Sequence, residues 1–218
     1  MDKLNENIFH LYDKWKEGYV RKETALEEKI KPMKEWAKKT FSTVFDKLKF
    51  GIDGIFADCN ILLYDNYLVN GEIPYPFTEC TGDFIAFEVT QLVSLKNFPN
   101  TVGGSCNLYG CEQLTSLEGA PKEVGGHFCC QHTPIESLKG APINVGRNFL
   151  CDNEEYLESL EGAPKEVGGN FSCSKCPSLT SLDGLATTIG GDLYCGLIFK
   201  GKEIPKNTIV NGNIIYYG

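Results

Sequence analysis

His127 and His132 flank the pair Cys129 and Cys130, the one cluster in this 218-residue chain that has the makings of a reactive centre. A cysteine nucleophile needs a base and a group that orients the base. Cys129 with His127 or His132, and Glu112 or Glu136 behind them, fills those roles in outline. Cys129, His127 and His132 also offer the nitrogen and sulfur ligands that zinc takes. The spacing argues against both readings. His127 and Cys129 stand two apart in a strand-like segment, so their side chains share a face about 6–7 Å apart. That is too far for a direct hydrogen bond, and an open sheet surface supplies no pocket. The remaining histidine, His10, falls in a helical segment. Cys173 and Cys176 form a lone CxxC, followed by Pro177, with neither a second pair at zinc spacing nor a strand-to-helix context. No glycine-rich phosphate or dinucleotide fingerprint leads from a strand into a helix. The expectation is therefore no catalytic centre, no metal and no cofactor.

What must position these residues is a repeat of 21 or 22 residues. LTSLEGAPKEVGGHFCCQHTP starts at Leu114, IESLKGAPINVGRNFLCDNEEY at Ile135, LESLEGAPKEVGGNFSCSKCPS at Leu157 and LTSLDGLATTIGGDLYCG at Leu179. A looser copy precedes them around Leu92, and partial units start at Cys80 and Ile204. Leu92, Leu114, Ile135, Leu157 and Leu179 make one column, Leu95, Leu117, Leu138, Leu160 and Leu182 a second, and Val102, Val124, Val145, Val167, Ile189 and Val210 a third. Each unit holds two short segments divided by Gly and Pro, with no room for a helix of ten residues or more. This predicts a mainly-β solenoid of short parallel strands, each burying its inward side chains against its neighbours.

Alternation after the Gly-Gly pair assigns the two faces of the later strand. Cys106, Phe128, Phe149, Phe171, Leu193 and Ile214 form one inward column, and Leu108, Cys130, Cys151, Cys173, Cys195 and Tyr216 the other. Most of the ten cysteines fall at repeat positions, which predicts reduced thiols packed as small hydrophobes and not a disulfide scaffold. The outward positions mix Asn and Asp with Phe87, Tyr109, His127, Leu150, Asp152, Tyr194, Ile215 and Tyr217, a candidate interface with an apolar centre and a polar rim. Asp152, Glu154, Glu155, Glu158 and Glu161 read as an acidic cluster at one loop, either solvated or suited to a basic partner.

The predicted domains are a helical head over 1–50, an irregular or hairpin junction over 51–79, and the solenoid over 80–218. Apolar residues recur at three- and four-residue steps over 3–17 and 22–49, with Pro32 opening or kinking a helix there. Trp36, Phe41 and Phe45 are core candidates in a helical cap; partner binding and a homo-oligomer seam are alternative uses of the same helices. Strand-like runs at Ile61–Tyr64 and Tyr67–Val69 suggest a hairpin or an irregular first coil. Residues 1–50 carry 12 Lys or Arg against 9 Asp or Glu, and the rest 9 against 20. So acidic an array disfavours direct nucleic-acid binding, which relies on neutralised phosphates. No apolar run reaches the roughly 18 residues of a membrane span, and the first residues lack the pattern of a secretory signal, so a cytosolic protein is expected.

The SLEGAPKEVGG-x-F-x-C units and the ending IPKNTIVNGN resemble the short leucine-rich-repeat proteins of bacteria and their phages, over about residues 80–218. The resemblance implies a bacteriophage binder that inhibits a host defence factor, such as a nuclease, in an anti-CRISPR or other anti-defence role in the bacterial cytosol. The units lack the LxxLxLxxN run and a helical half, which favours a flat strand-only solenoid over a curved horseshoe. The function expected is a non-enzymatic protein-binding module. The alternatives are a self-associating structural repeat protein, with no heterologous partner, and a thiol or zinc enzyme at Cys129, His127 and His132.

Overall fold

A computed structural model describes residues 24–217. The expected helix over 3–17 lies outside them. The chain forms a two-sheet parallel β-solenoid. One nine-stranded sheet runs from Leu48–Gly51 and Gly54–Ala57 through Phe77–Cys80, Thr101–Val102, Glu123–Val124, Asn144–Val145, Glu166–Val167 and Thr188–Ile189 to Ile209–Val210. A second, eight-stranded sheet contains Ile61–Leu62, Phe84–Ile85, Cys106–Asn107, Phe128–Cys129, Phe149–Leu150, Phe171–Cys173, Leu193–Gly196 and Ile214–Tyr217. Apart from the first hairpin, every pair in both sheets is parallel and joins equivalent residues of successive coils, as in Val124 to Val145 to Val167 and Phe128 to Phe149 to Phe171.

The leucine columns close the third side of each coil. Ser94, Ser116, Ser159 and Ser181 each accept the backbone N–H two residues on, at 3.0–3.1 Å. This local turn bond competes with regular structure and sends the chain round the corner. Leu95, Leu117, Leu138, Leu160 and Leu182 then point into the core, and all are buried. Phe128, Phe149 and Phe171 lie inside with rings stacked 5.4 and 5.1 Å apart. Cys130, Cys151, Cys173 and Cys195 form the buried column beside them.

The leucine-rich-repeat identification is overturned by this architecture. That family lines a horseshoe with one strand sheet and backs it with helices or 3-10 turns; here two parallel sheets enclose the core. The similarity lies in the SLEGAP corner, whereas the Gly-Gly-x-Phe-x-Cys half of the unit builds a second sheet.

At the N-terminal end, a helix over residues 24–40 caps the solenoid, running unbroken past Pro32. Met33, Ala37 and Phe41 join the core, and the Phe41 ring meets Phe77 edge-on at 5.9 Å. The helix expected to reach residue 49 stops at 40. Leu48–Gly51 is instead a strand, antiparallel to Gly54–Ala57 across the two-residue turn Ile52–Asp53. Leu48 and Phe50 alternate with exposed Lys49, and glycines bracket the turn, so hairpin chemistry wins over helical periodicity. The hairpin expected from Ile61–Tyr64 and Tyr67–Val69 is absent. Ile61–Leu62 pairs in parallel with Phe84–Ile85, and Asp65–Tyr67 is a 3-10 turn. Residues 51–79 thus supply irregular first strands to both sheets, with a bulge between Ile55 and Phe56.

Close stacking makes one glycine column obligatory. A Cβ on Gly146 would sit 2.3 Å from the Gly125 carbonyl oxygen, and one on Gly168 as close to that of Gly146. Gly201, by contrast, has a φ of +82° but nothing within 4 Å of its would-be Cβ. Gly146→Ala is expected to lose about 3 kcal/mol or more through backbone displacement, and Gly201→Ala about 1 kcal/mol through backbone strain alone. Denaturant titration of both variants checks the contrast; equal losses would contradict the stacking.

Candidate functional site

The outward face of the second sheet is built on a hydrogen-bonded ladder. One side chain per coil accepts the backbone N–H of its equivalent in the next coil. Asn60 accepts from Asp83, Asp83 from Ser105, Ser105 from His127, His127 from Asn148, Asn148 from Asn170, Asn170 from Asp192, and Asp192 from Asn213, at 2.7–3.2 Å. The polar column that sequence reading placed on the binding surface therefore holds the coils together. His127 serves it through Nδ1, which must be unprotonated to accept, leaving Nε2 to carry the ring proton.

Beside the ladder run two further columns. One is Leu62, Ile85, Asn107, Cys129, Leu150, Ser172, Tyr194 and Ile215; the other continues from Tyr64 and Phe87 through Tyr109, Gln131, Asp152 and Ser174 to Tyr217. Of the residues expected to bind, Phe87, Tyr109, His127 and Leu150 come together around one shallow groove of about 350 Å³, floored by Ile85, Asn107 and Cys129. Phe87 and Tyr109 stack face to face, with centroids 5.0 Å apart and planes 6° from parallel. Asp152 borders the groove through Gln131, whose Nε2 donates to it at 2.6 Å. Tyr194, Ile215 and Tyr217 form a separate patch beyond one intervening coil, where Tyr194 and Tyr217 stack at 5.9 Å. Ser172 and Ser174 lie between the two groups and are buried.

Sequence reading missed two members. Leu62 and Tyr64 extend both columns by one coil and are 47% and 52% exposed. Ile61-Leu62-Leu63-Tyr64 is an unbroken apolar run, so alternation assigns no face to it, and only its alignment with the strand at Phe84–Ile85 does.

The Cys129–His127–His132 trio is divided among other partners. Cys129 is buried on the outward side and its thiol donates to Gln131 Oε1 at 3.2 Å. Burial pushes that thiol up to about 11, so it is protonated at neutral pH and a poor nucleophile. The His132 ring rests edge-on against Tyr109 at 4.9 Å. All ten cysteines are free thiols. Among the described residues no group of three or more His, Cys, Asp or Glu is placed to hold a metal, and no helix is long and apolar enough to cross a membrane.

The corner after the second sheet holds an unexpected group. Glu88, Gly110, His132, Asn153 and Lys175 all have positive φ there, and Val89, Cys111, Thr133, Glu154 and Cys176 follow them into the core. Glu154, which the sequence places in an acidic cluster either solvated or suited to a basic partner, is fully buried. Its carboxyl accepts the Thr133 N–H at 3.1 Å, and the Thr133 hydroxyl, which donates to the Cys130 carbonyl at 2.7 Å, lies 3.4 Å from it. It underlies a pocket of about 270 Å³ lined by Glu112, His132, Asn153, Glu155 and Tyr156 among others. Desolvation raises its pKa from 4.5 to about 8, opposed by the Thr133 hydrogen bonds. Asp152 and the thiols Cys129, Cys130, Cys151 and Cys176 are among its titratable surroundings.

Comparison with protein-family models, with curated proteins and with solved structures finds no match for the chain. With a two-sheet solenoid in place of the leucine-rich fold and no relative behind it, the bacteriophage, anti-CRISPR and host–virus assignments that followed from the resemblance fall with it.

Between about pH 4.5 and 8 folded Glu154 keeps a proton that the unfolded chain releases, so stability falls as pH rises, by up to ~1.4 kcal/mol per pH unit. Glu154→Gln is expected to flatten that dependence and to exceed the parent's stability at pH 8; urea titrations across this range would show an unchanged slope if the carboxyl were exposed. His127→Ala is expected to cost ~1 kcal/mol or more by orphaning the Asn148 N–H, while His127→Asn keeps the acceptor and most of the stability. Equal losses in thermal melts would remove His127 from the ladder.

Proposed function

We propose that the protein is a non-enzymatic protein-binding module whose contact surface is the outward face of the second sheet. The observation that carries this reading is the grouping of Leu62, Tyr64, Ile85, Phe87 and Tyr109 on adjacent coils of that face, with Leu62, Tyr64 and Phe87 about half exposed. The corresponding column of the first sheet is mostly polar: Glu79, Thr101, Glu123, Asn144, Glu166 and Thr188, before Ile209. A contiguous apolar and aromatic patch with a polar rim is the surface pattern of a protein contact. Two rigid stacked rings lose little side-chain freedom on binding, which suits them as anchors. The negative charge of the array disfavours nucleic acid as the partner.

The test is quantitative capture from a lysate of the source cell, comparing the parent, Phe87→Ser with Tyr109→Ser, and Glu123→Gln with Glu166→Gln on the first sheet. Circular dichroism establishes that each variant is folded. A partner retained by the parent and by the first-sheet variant, and lost about tenfold or more by the second-sheet variant, supports the reading. Retention by all three removes the face, and light scattering that shows only self-association favours the structural alternative.

A further inference from the structure

Two cavities adjoin on this face. The groove floored by Ile85 and walled by Phe87, Tyr109 and Leu150 is apolar. The corner pocket beside it is lined by Glu112, Glu155, His132 and Tyr156, and no lysine or arginine lines it. The edge contact of Tyr109 with His132 is the partition between them. From the juxtaposition of these two cavities we infer that the surface recognises a basic segment of a partner protein, one apolar side chain entering the groove and a neighbouring Lys or Arg entering the corner pocket. This rests on the binding-face reading above and names its partner class.

Charge complementarity selects the occupant. Among the described residues the ion pairs are Lys34–Glu27, Lys96–Glu72 and Lys139–Glu161, so Glu112 and Glu155 face the pocket without a cationic partner. Asp152, on the groove side of the same turn, takes only the amides of Gln131 and Asn153. Beneath the floor, Glu154 adds a carboxyl that burial keeps protonated at neutral pH and that an arriving cation would help to ionise. A guanidinium is the better fit of the two cations, because its fork can meet two carboxylates while its flat face lies on Tyr109 or Tyr156. An acidic or phosphorylated segment would meet like charge at Glu112, Asp152 and Glu155.

A random-peptide display library panned against the full chain tests the inference. Peptides enriched on the parent are re-measured against Glu112→Gln with Glu155→Gln, and against Tyr109→Ser. Peptides that place Lys or Arg beside an apolar residue, and that weaken about tenfold or more in the double glutamine variant, establish the basic partner. Replacing the arginine of the best peptide by the neutral isostere citrulline should cause a matching loss. Peptides that depend on Tyr109 but lack a basic residue, or bind the glutamine variant equally, overturn the partner class and leave the groove standing. Peptides indifferent to both changes, or no enrichment, overturn the inference and the binding face together.

Discussion

Successive coils repeat at the spacing of paired strands, about 4.8 Å, and they repeat in register. At that distance each side chain meets its own equivalent one coil away, so every column has to be compatible with itself. The chain answers this in three ways. Aromatic rings stack on rings in the Phe128, Phe149 and Phe171 column. Glycine lies on glycine where any Cβ would strike a backbone oxygen. Short polar side chains from Asn60 to Asp192 accept backbone N–H groups along one flank. A helix at one end covers core residues that would otherwise face water, as the ends of such arrays require.

This constraint also determines where the chain is free to vary. Inward columns and the glycine column are held by stacking, so differences between coils collect at outward positions and at the corner after the second sheet. The Phe87–Tyr109 stack, the groove beside it and the carboxyl of Glu154 all occur at such positions. Glu154 fills a place that Cys111, Thr133 and Cys176 fill in other coils. A small or weakly polar group there costs little; a carboxyl is tolerated through the Thr133 N–H and by keeping its own proton. A buried acid in an otherwise self-similar array is thus a local departure that stacking does not explain.

The self-compatible columns are also what made most of the fold legible in the sequence. Leu95 through Leu182, Val102 through Ile189 and the cysteine ladder recur at fixed intervals, and each is buried as its column predicts. The SLEGAP stretch misled at the level of family, because leucines recurring at a fixed period are buried in either architecture and say nothing of how many sheets follow. The outward Asn and Asp column reads as exposed polarity in sequence, since a side chain that accepts a neighbouring coil's N–H looks the same there as one facing water. Ser172, Ser174 and Cys129 have outward parity and are nevertheless buried, because parity gives direction and says nothing of what covers a small side chain. Leu62 and Tyr64 cannot be assigned a face from sequence because they sit in an unbroken apolar run. Glu154 sat among acids in sequence, yet column comparison with Cys111 and Thr133 held the signal that it turns inward.

The proposed binding role requires that one face of this solenoid meets a protein and the opposite face does not. Site-specific photo-crosslinking in the source cell addresses it directly, with p-benzoylphenylalanine placed at Tyr109 on the second sheet or at Glu123 on the first. Irradiation is predicted to give a discrete heavier species from position 109 and none from position 123. Adducts of equal yield from both positions, or from 123 alone, would contradict the assignment of the face.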